Sequence, residues 1–188
     1  MNINNIHWRP VVAKYAQPDL WRSIWQILNT LIPYFALFYL SMRSLEVSFW
    51  LTLPLSILTA GFMVRTFIIF HDCGHGSFFK SRRASRVVEF ITGVLAFAPY
   101  RQWRNLHALH HATAADLDRR GTGDIWTLTV QEYLEASRWK RLAYRLARNP
   151  FVLFVLAPLY LFLIEYRFPS RSVSKRQRRG VHLTNAAL

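Results

Sequence analysis

A single cysteine, Cys73, stands among the 188 residues, so no disulfide can form within the chain. Acidic side chains are scarce: 10 Asp and Glu stand against 24 Lys and Arg, for a formal charge of +14. A nucleic-acid-binding domain can be this basic, but it does not carry long uncharged apolar runs, and this chain has two. Internal repeats and low-complexity tracts are missing too. No leader is recognisable, because the first apolar run starts near Trp25 and no small-residue cleavage site follows. Two metalloenzyme signatures are absent. Without Glu-x-x-His the chain is not a carboxylate-bridged di-iron bundle, and without His-Glu-x-x-His a zinc protease is unsupported.

What is present is apolar. Hydrophobic residues make up 52% and aromatics 15% of the chain. Beside the positive charge, this reads as a membrane protein with basic cytoplasmic loops. Residues 25–42 and 47–70 form runs long enough to cross a bilayer, for which ~20 residues suffice. Pro33 is expected to kink the first, and Trp21 and Trp25 suit an interfacial anchor. Arg65, the one charge in the second run, can snorkel toward headgroups. A short outer connection around residues 43–46 makes the runs a hairpin with both ends in the cytoplasm. Lys80-Ser81-Arg82-Arg83 reads as a basic flank. Residues 87–99, which include Glu89, are too short to cross and read as an interfacial or re-entrant piece.

Residues 101–112 are expected on a helix, and 114–124 in a polar loop with turn glycines Gly121 and Gly123. Thr129 and Glu132 match a capping box. The box opens a basic amphipathic helix to about Arg148, with Trp139, Leu142, Ala143 and Leu146 on one face. Such a helix can lie on an anionic membrane surface, and Asn149-Pro150 ends it. The apolar stretch 151–166 dips into the membrane in this reading, since a crossing would put the basic run 171–179 outside. The expected fold is an all-α integral membrane protein: an N-terminal cytoplasmic segment at 1–24, a transmembrane hairpin at 25–70, and a cytoplasmic and interfacial helical cap at 71–188.

Five of the seven histidines fall in two clusters, His71/His75 and His107/His110/His111. Spacings of i,i+3 and i,i+4 stack side chains on one helix face, within reach of a shared metal. A lone histidine is more often structural, and His7 and His182 keep that reading. Neutral imidazole suits iron, copper, zinc and nickel alike, so the clusters alone do not name the metal. Asp72 either caps the helix of the first cluster or orients a ligand; Asp116, Asp118 and Asp124 are further candidates to fix ring tautomers.

The stretches HDCGHGSFF (71–79), WRNLHALHHAT (103–113) and DLDRRGTGDIWTLTVQEY (116–133) resemble the membrane-bound fatty acid desaturases, especially bacterial acyl-lipid desaturases. The resemblance runs from about residue 25 to the C-terminus. It implies that His71, His75, His107, His110 and His111 ligate a non-haem di-iron centre that uses O2 to place a double bond in a membrane-lipid acyl chain. It implies electrons from a ferredoxin or a cytochrome b5-type donor, and histidine boxes facing the cytoplasm of a multi-pass protein. The family's third box, His or Gln then x-x-His-His, does not occur among the seven histidines. The chain is therefore expected to be the N-terminal part of a desaturase, inactive alone: truncated, degenerate, or completed by a second chain. The alternatives are a histidine-box hydroxylase or ketolase, and a non-catalytic membrane protein.

Overall fold

The computed structural model describes residues 8–13, 17–121, 123–170 and 173–188. The expectation for His7, and those parts of the segments 1–24, 114–124 and 171–179 that fall on residues 1–7, 14–16, 122 and 171–172, lie outside them. All regular structure among the described residues is helical. The chain divides into two compact units, Met1–Ala96 and Phe97–Leu188.

The first unit holds α1 (Trp8–Ala13), α2 (Leu20–Ser44), α3 (Phe49–His75) and α4 (Arg82–Leu95). The Asp19 carboxylate accepts the Arg22 N–H at 2.9 Å and starts α2. Ser48 caps α3 through the Trp50 N–H. At about 1.5 Å per residue both long helices exceed the ~30 Å of a bilayer's hydrocarbon core. Among the described residues they are the two helices long and apolar enough to cross a membrane by themselves. α2 runs through Pro33 without a break.

What joins them is small and polar. Ser23, Thr30 and Ser44 are buried on α2 in heptad register, and Thr52, Thr59, Thr66 and Cys73 are buried in heptad register on α3. Most of these hydroxyls return to a carbonyl of the preceding turn, as Thr59 does to Leu55 at 2.7 Å and Thr66 to Phe62 at 2.9 Å. Others meet across the seam: Ser44 and Thr52 at 2.9 Å, Ser41 and Thr59 at 3.3 Å. The bulky residues Trp25, Ile32, Tyr39, Trp50, Ile57 and Val64 point outward and are exposed. A soluble hairpin would bury those and expose the hydroxyls. In lipid, small residues let the backbones approach while large apolar ones meet acyl chains. Arg65 donates to Asn29 Oδ1 at 2.8 Å, so the charged residue in the second run is also a tie between the two helices.

The region expected as a short piece at 87–99 is α4, and it starts earlier, with Ser81 capping the Ala84 N–H. Arg82 and Arg83 thus form its first turn. Its buried face, Ser85, Glu89, Thr92 and Gly93, packs toward α3. Ile69, Cys73 and Phe78 form a small core with Ile27, Phe79 and Val88.

The second unit holds α5 (Tyr100–Thr113), α6 (Val130–Glu135), α7 (Arg138–Ala147), a π-helical turn (Val152–Leu156), α8 (Ala157–Leu163), a 3-10 turn (Glu165–Arg167) and α9 (Lys175–Ala187). The amphipathic helix expected over 130–148 is two helices. Ala136 turns extended, at φ −69° and ψ 148°, and Ser137 restarts the chain by capping the Lys140 N–H at 3.3 Å. Pro158 has no N–H to donate back one turn, and a π-helical turn precedes it.

The basic run near the C-terminus, expected as a topology signal, begins α9. Ser174 and Gln177 form a second capping box there, and α9 packs on α5, with Val181 fully buried and Gly180 against the Arg101 side chain. Arg167 ties this unit together: its guanidinium meets the Phe97 carbonyl and donates to Asn185 Oδ1 at 3.0 Å. That contact holds Phe97 at φ 57°, a left-handed conformation a phenylalanine rarely takes.

Candidate metal centre

In the first unit the histidine box forms the last turn of α3. Helix geometry persists through His75 because Gly76 takes the left-handed cap at φ 72° and returns its N–H to the Asp72 and Cys73 carbonyls. His71 and His75 therefore sit one turn apart on one face, with their Nε2 atoms 3.2 Å apart. Nδ1 of His71 lies 3.0 Å from Asp72 Oδ1. A proton on that Nδ1 leaves the Nε2 lone pair free to bind a metal. The capping alternative for Asp72 is overturned: the box closes a helix whose N-cap is Ser48, so Asp72 is a late-helix residue beside a ligand candidate.

In the second unit α5 carries the other box. His107 and His111 repeat the i,i+4 arrangement, with Nε2 atoms 3.0 Å apart. Trp103, one turn earlier, stacks on His107 with centroids 4.3 Å apart and planes 17° apart. His110 stands off from this pair, its ring centroid 6.1 Å from His107 and 5.8 Å from His111. Its buried Nδ1 faces Asp124 Oδ1 at 3.0 Å, close enough for an ion pair but off the line of a straight hydrogen bond.

The loop between α5 and α6 brings Asp124 there. Its other oxygen accepts the Gly121 N–H at 3.1 Å. Gly123 takes φ 75°, and a Cβ there would stand 3.2 Å from His110 Cβ and 3.3 Å from Cγ. Sequence reasoning took Gly123 as a turn residue only; it also makes room for His110. Asp116 turns to the loop itself, accepting Arg119 Nε at 2.7 Å and the Asp118 N–H at 3.0 Å. Arg119, then the Asp118 amide, hold its carboxyl below the usual range. Of the four aspartates considered, Asp72 and Asp124 meet histidines, while the Asp116 carboxylate accepts the Asp118 backbone N–H. Arg120 fastens the loop's far end, pairing with Glu132 and donating to the Thr127 carbonyl at 3.2 Å. The Thr129 N–H at 2.7 Å, then Arg120, pull the Glu132 carboxyl down to about 2. His182 is exposed on α9.

The pair separations carry chemical meaning. Two imidazole nitrogens each about 2.1 Å from one ion, subtending roughly 90–100°, lie about 3.0–3.2 Å apart. Each i,i+4 pair stands at N–H···N hydrogen-bond distance, which is also the separation of a two-point chelate for a first-row metal. In the second unit a cavity of about 770 Å³ opens beside His107 and His110, walled by Trp103, Leu106, Leu161 and Ile164 among others.

Residues 48–188 match the family model described as fatty acid desaturase. A fatty acid desaturase of Bacillus subtilis is 53% identical over 177 residues, 94% of this chain and 50% of that protein. An sn-1 oleoyl-lipid 12-desaturase of Synechocystis is 33% identical over 103 residues, 54% of this chain and 29% of its own. An sn-1 acyl-lipid omega-3 desaturase (ferredoxin) of the same organism is 29% identical over 127 residues, 66% of this chain and 32% of its own. The chain spans half or less of the length of these relatives. No solved structure matches it.

Proposed function

The chain belongs to the fatty acid desaturase family, and from that premise we propose that it supplies the two-box part of an acyl-lipid desaturase. Its reaction takes two hydrogens from adjacent methylenes of a membrane-lipid acyl chain. With O2, two electrons and two protons, it yields a cis or trans double bond and two waters. His71, His75, His107, His110 and His111 are the ligands of a non-haem di-iron centre, with Asp72 and Asp124 orienting rings. The observation that carries this reading is the pair of Nε2 separations, 3.2 and 3.0 Å, each matched to one metal. Bound iron supplies the oxidising power, since no side chain can break an unactivated C–H bond.

The remaining roles fall to this chain's own residues. Asp72 keeps the His71 proton on Nδ1. Trp103 holds the His107 plane. The cavity beside His107 and His110, walled by Trp103, Leu106, Leu161 and Ile164 and also by Gln102 and Glu165, gives an acyl chain a way to that box. His71 lies about 33 Å along α3 from Phe49, so a hairpin whose short connection sits at the outer boundary delivers the first box just past the ~30 Å hydrocarbon core. The basic flanks place that end in the cytoplasm. The ferredoxin in the name of the Synechocystis omega-3 desaturase supports a ferredoxin as the electron donor.

The test is product analysis in a host without desaturases. The chain is expressed alone and together with the half of the Bacillus relative that it does not cover, with ferredoxin supplied. New double bonds in glycerolipid acyl chains are expected in the paired format and none from the chain alone. Hydroxylated chains without double bonds, or unchanged lipids in both formats, would overturn the reading. Purified protein should bind iron, and binding of zinc to the exclusion of iron would overturn the metal assignment.

A further inference from the structure

α7 is fastened to its unit along one side. Tyr144 stands edge-on to Trp126 with centroids 5.4 Å apart and meets Tyr133 at 5.7 Å. Arg145 Nε donates to the Tyr133 hydroxyl at 2.6 Å. At 100° per residue, Trp139, Leu142 and Leu146 form a stripe on another side, and Trp139 is 80% exposed. No residue of α7 is buried. Cations border the stripe on both sides: Arg138 and Arg141 along one edge, Lys140 beyond the other. Past Asn149-Pro150, residues 151–164 contain no charge. Phe151 and Phe154 are exposed there, and the following helical stretch leaves α7 at 59°.

We propose that α7 lies in the plane of the membrane surface and binds the headgroups of anionic phospholipids. Trp139, Leu142 and Leu146 sit among the upper acyl carbons, and the flanking cations reach the phosphates. A stripe with cations on both edges matches a lipid surface, whose apolar layer lies below a layer of negative charge. Continuity points the same way: the open stripe runs on into an uncharged apolar stretch that bends away by 59°, as a chain turning from the surface into the bilayer would. An acidic protein could meet the arginines but would leave Phe151 and Phe154 uncovered. The proposal rests on the membrane setting of the preceding section and not on its redox chemistry, so its test needs neither iron nor turnover.

The full chain, with Leu142→Cys carrying a nitroxide, is placed in nanodiscs of phosphatidylcholine alone or with one third phosphatidylglycerol; Cys73 is buried and stays unlabelled. Spin relaxation by oxygen and by a water-soluble nickel chelate reports depth. In the anionic discs the label should be open to oxygen and shielded from nickel. In neutral discs, or with R138Q/K140Q/R141Q, it should move toward water. Each basic residue at an anionic surface contributes roughly fivefold, so the triple variant should lower the ratio of inserted to lifted α7 about a hundredfold in anionic discs. A label reached by nickel in both lipids, one equally deep in both, or one shielded only when an acidic electron-carrier protein is added would each overturn the proposal.

Discussion

The two histidine boxes present the same i,i+4 pair but are held in different ways. His71 and His75 are held by their own helix: the glycine cap that ends α3 and the neighbouring Asp72 complete the arrangement within six residues. The second box needs distant chain. Asp124 approaches His110 from fourteen residues away, over a glycine in a left-handed conformation, in a loop pinned by Arg120 to Glu132. One box is thus as robust as a helix end and the other as robust as a loop. Perturbations remote from the histidines should therefore weaken the second and spare the first.

Removing a ligand is the largest perturbation and should erase the contrast. His71→Ala or His107→Ala leaves one nitrogen where two were 3.0–3.2 Å apart. Iron content and desaturation should fall to background in either variant, and retained desaturation would defeat the ligand assignment. Gly123→Ala should expose the contrast most sharply. A methyl 3.2 Å from His110, on a backbone at φ 75°, costs about 1–3 kcal/mol. Thermal unfolding should shift down, and iron retention should fall although no ligand is altered; an unchanged unfolding temperature would show that the loop yields freely. Asp124→Asn and Asp72→Asn should each lower metal affinity by about 10–100-fold, the range for partners of metal-bound histidines. Asp124→Asn should also loosen the loop, read as faster amide exchange around Gly121, whereas Asp72→Asn should leave exchange along α3 unchanged. Equal exchange behaviour in the two variants would remove the distinction between the boxes.

The same contrast explains what could be read from the chain beforehand. Both long helices follow from uncharged runs, and the i,i+4 histidine pairs follow from helix periodicity, because each depends on residues within a few turns. The amphipathic pattern of 139–146 was strong enough to draw the preceding turn into one helix and hide the break at Ala136; Ser137, a good N-cap, was the available signal. Ser174-x-x-Gln177 marks the start of α9 by the same rule that identifies Thr129-x-x-Glu132, but the surrounding arginines suggested a flank. The hydroxyl seam of the hairpin is visible as a seven-residue recurrence of Thr52, Thr59 and Thr66. Hydropathy alone passes over it, because threonine in an apolar run does not mark which face packs. Choosing among four nearby aspartates was beyond local pattern. Which of them reaches a histidine depends on the path of the loop, set by Gly121, Gly123 and the Arg120–Glu132 pair.

That pair yields the smallest effect and the most selective probe. The Glu132 carboxyl is held at about 2 against an ordinary 4.5, first by the Thr129 N–H and then by Arg120. Because the folded value is the lower one, its contribution is complete above about 4.5 and is lost as pH falls toward 2. Acidification should loosen the loop and the Trp126–Tyr144 contact while α3 keeps its helix. Glu132→Gln should bring the same loosening to neutral pH, as a modest change because the pair is solvent-accessible and screened. Hydrogen exchange of the Gly121 amide, whose acceptor is Asp124, measured against amides of the last turn of α3 as internal reference, reads the difference directly. If both sets respond together to pH and to the substitution, the second box is no more dependent on its loop than the first is on its helix.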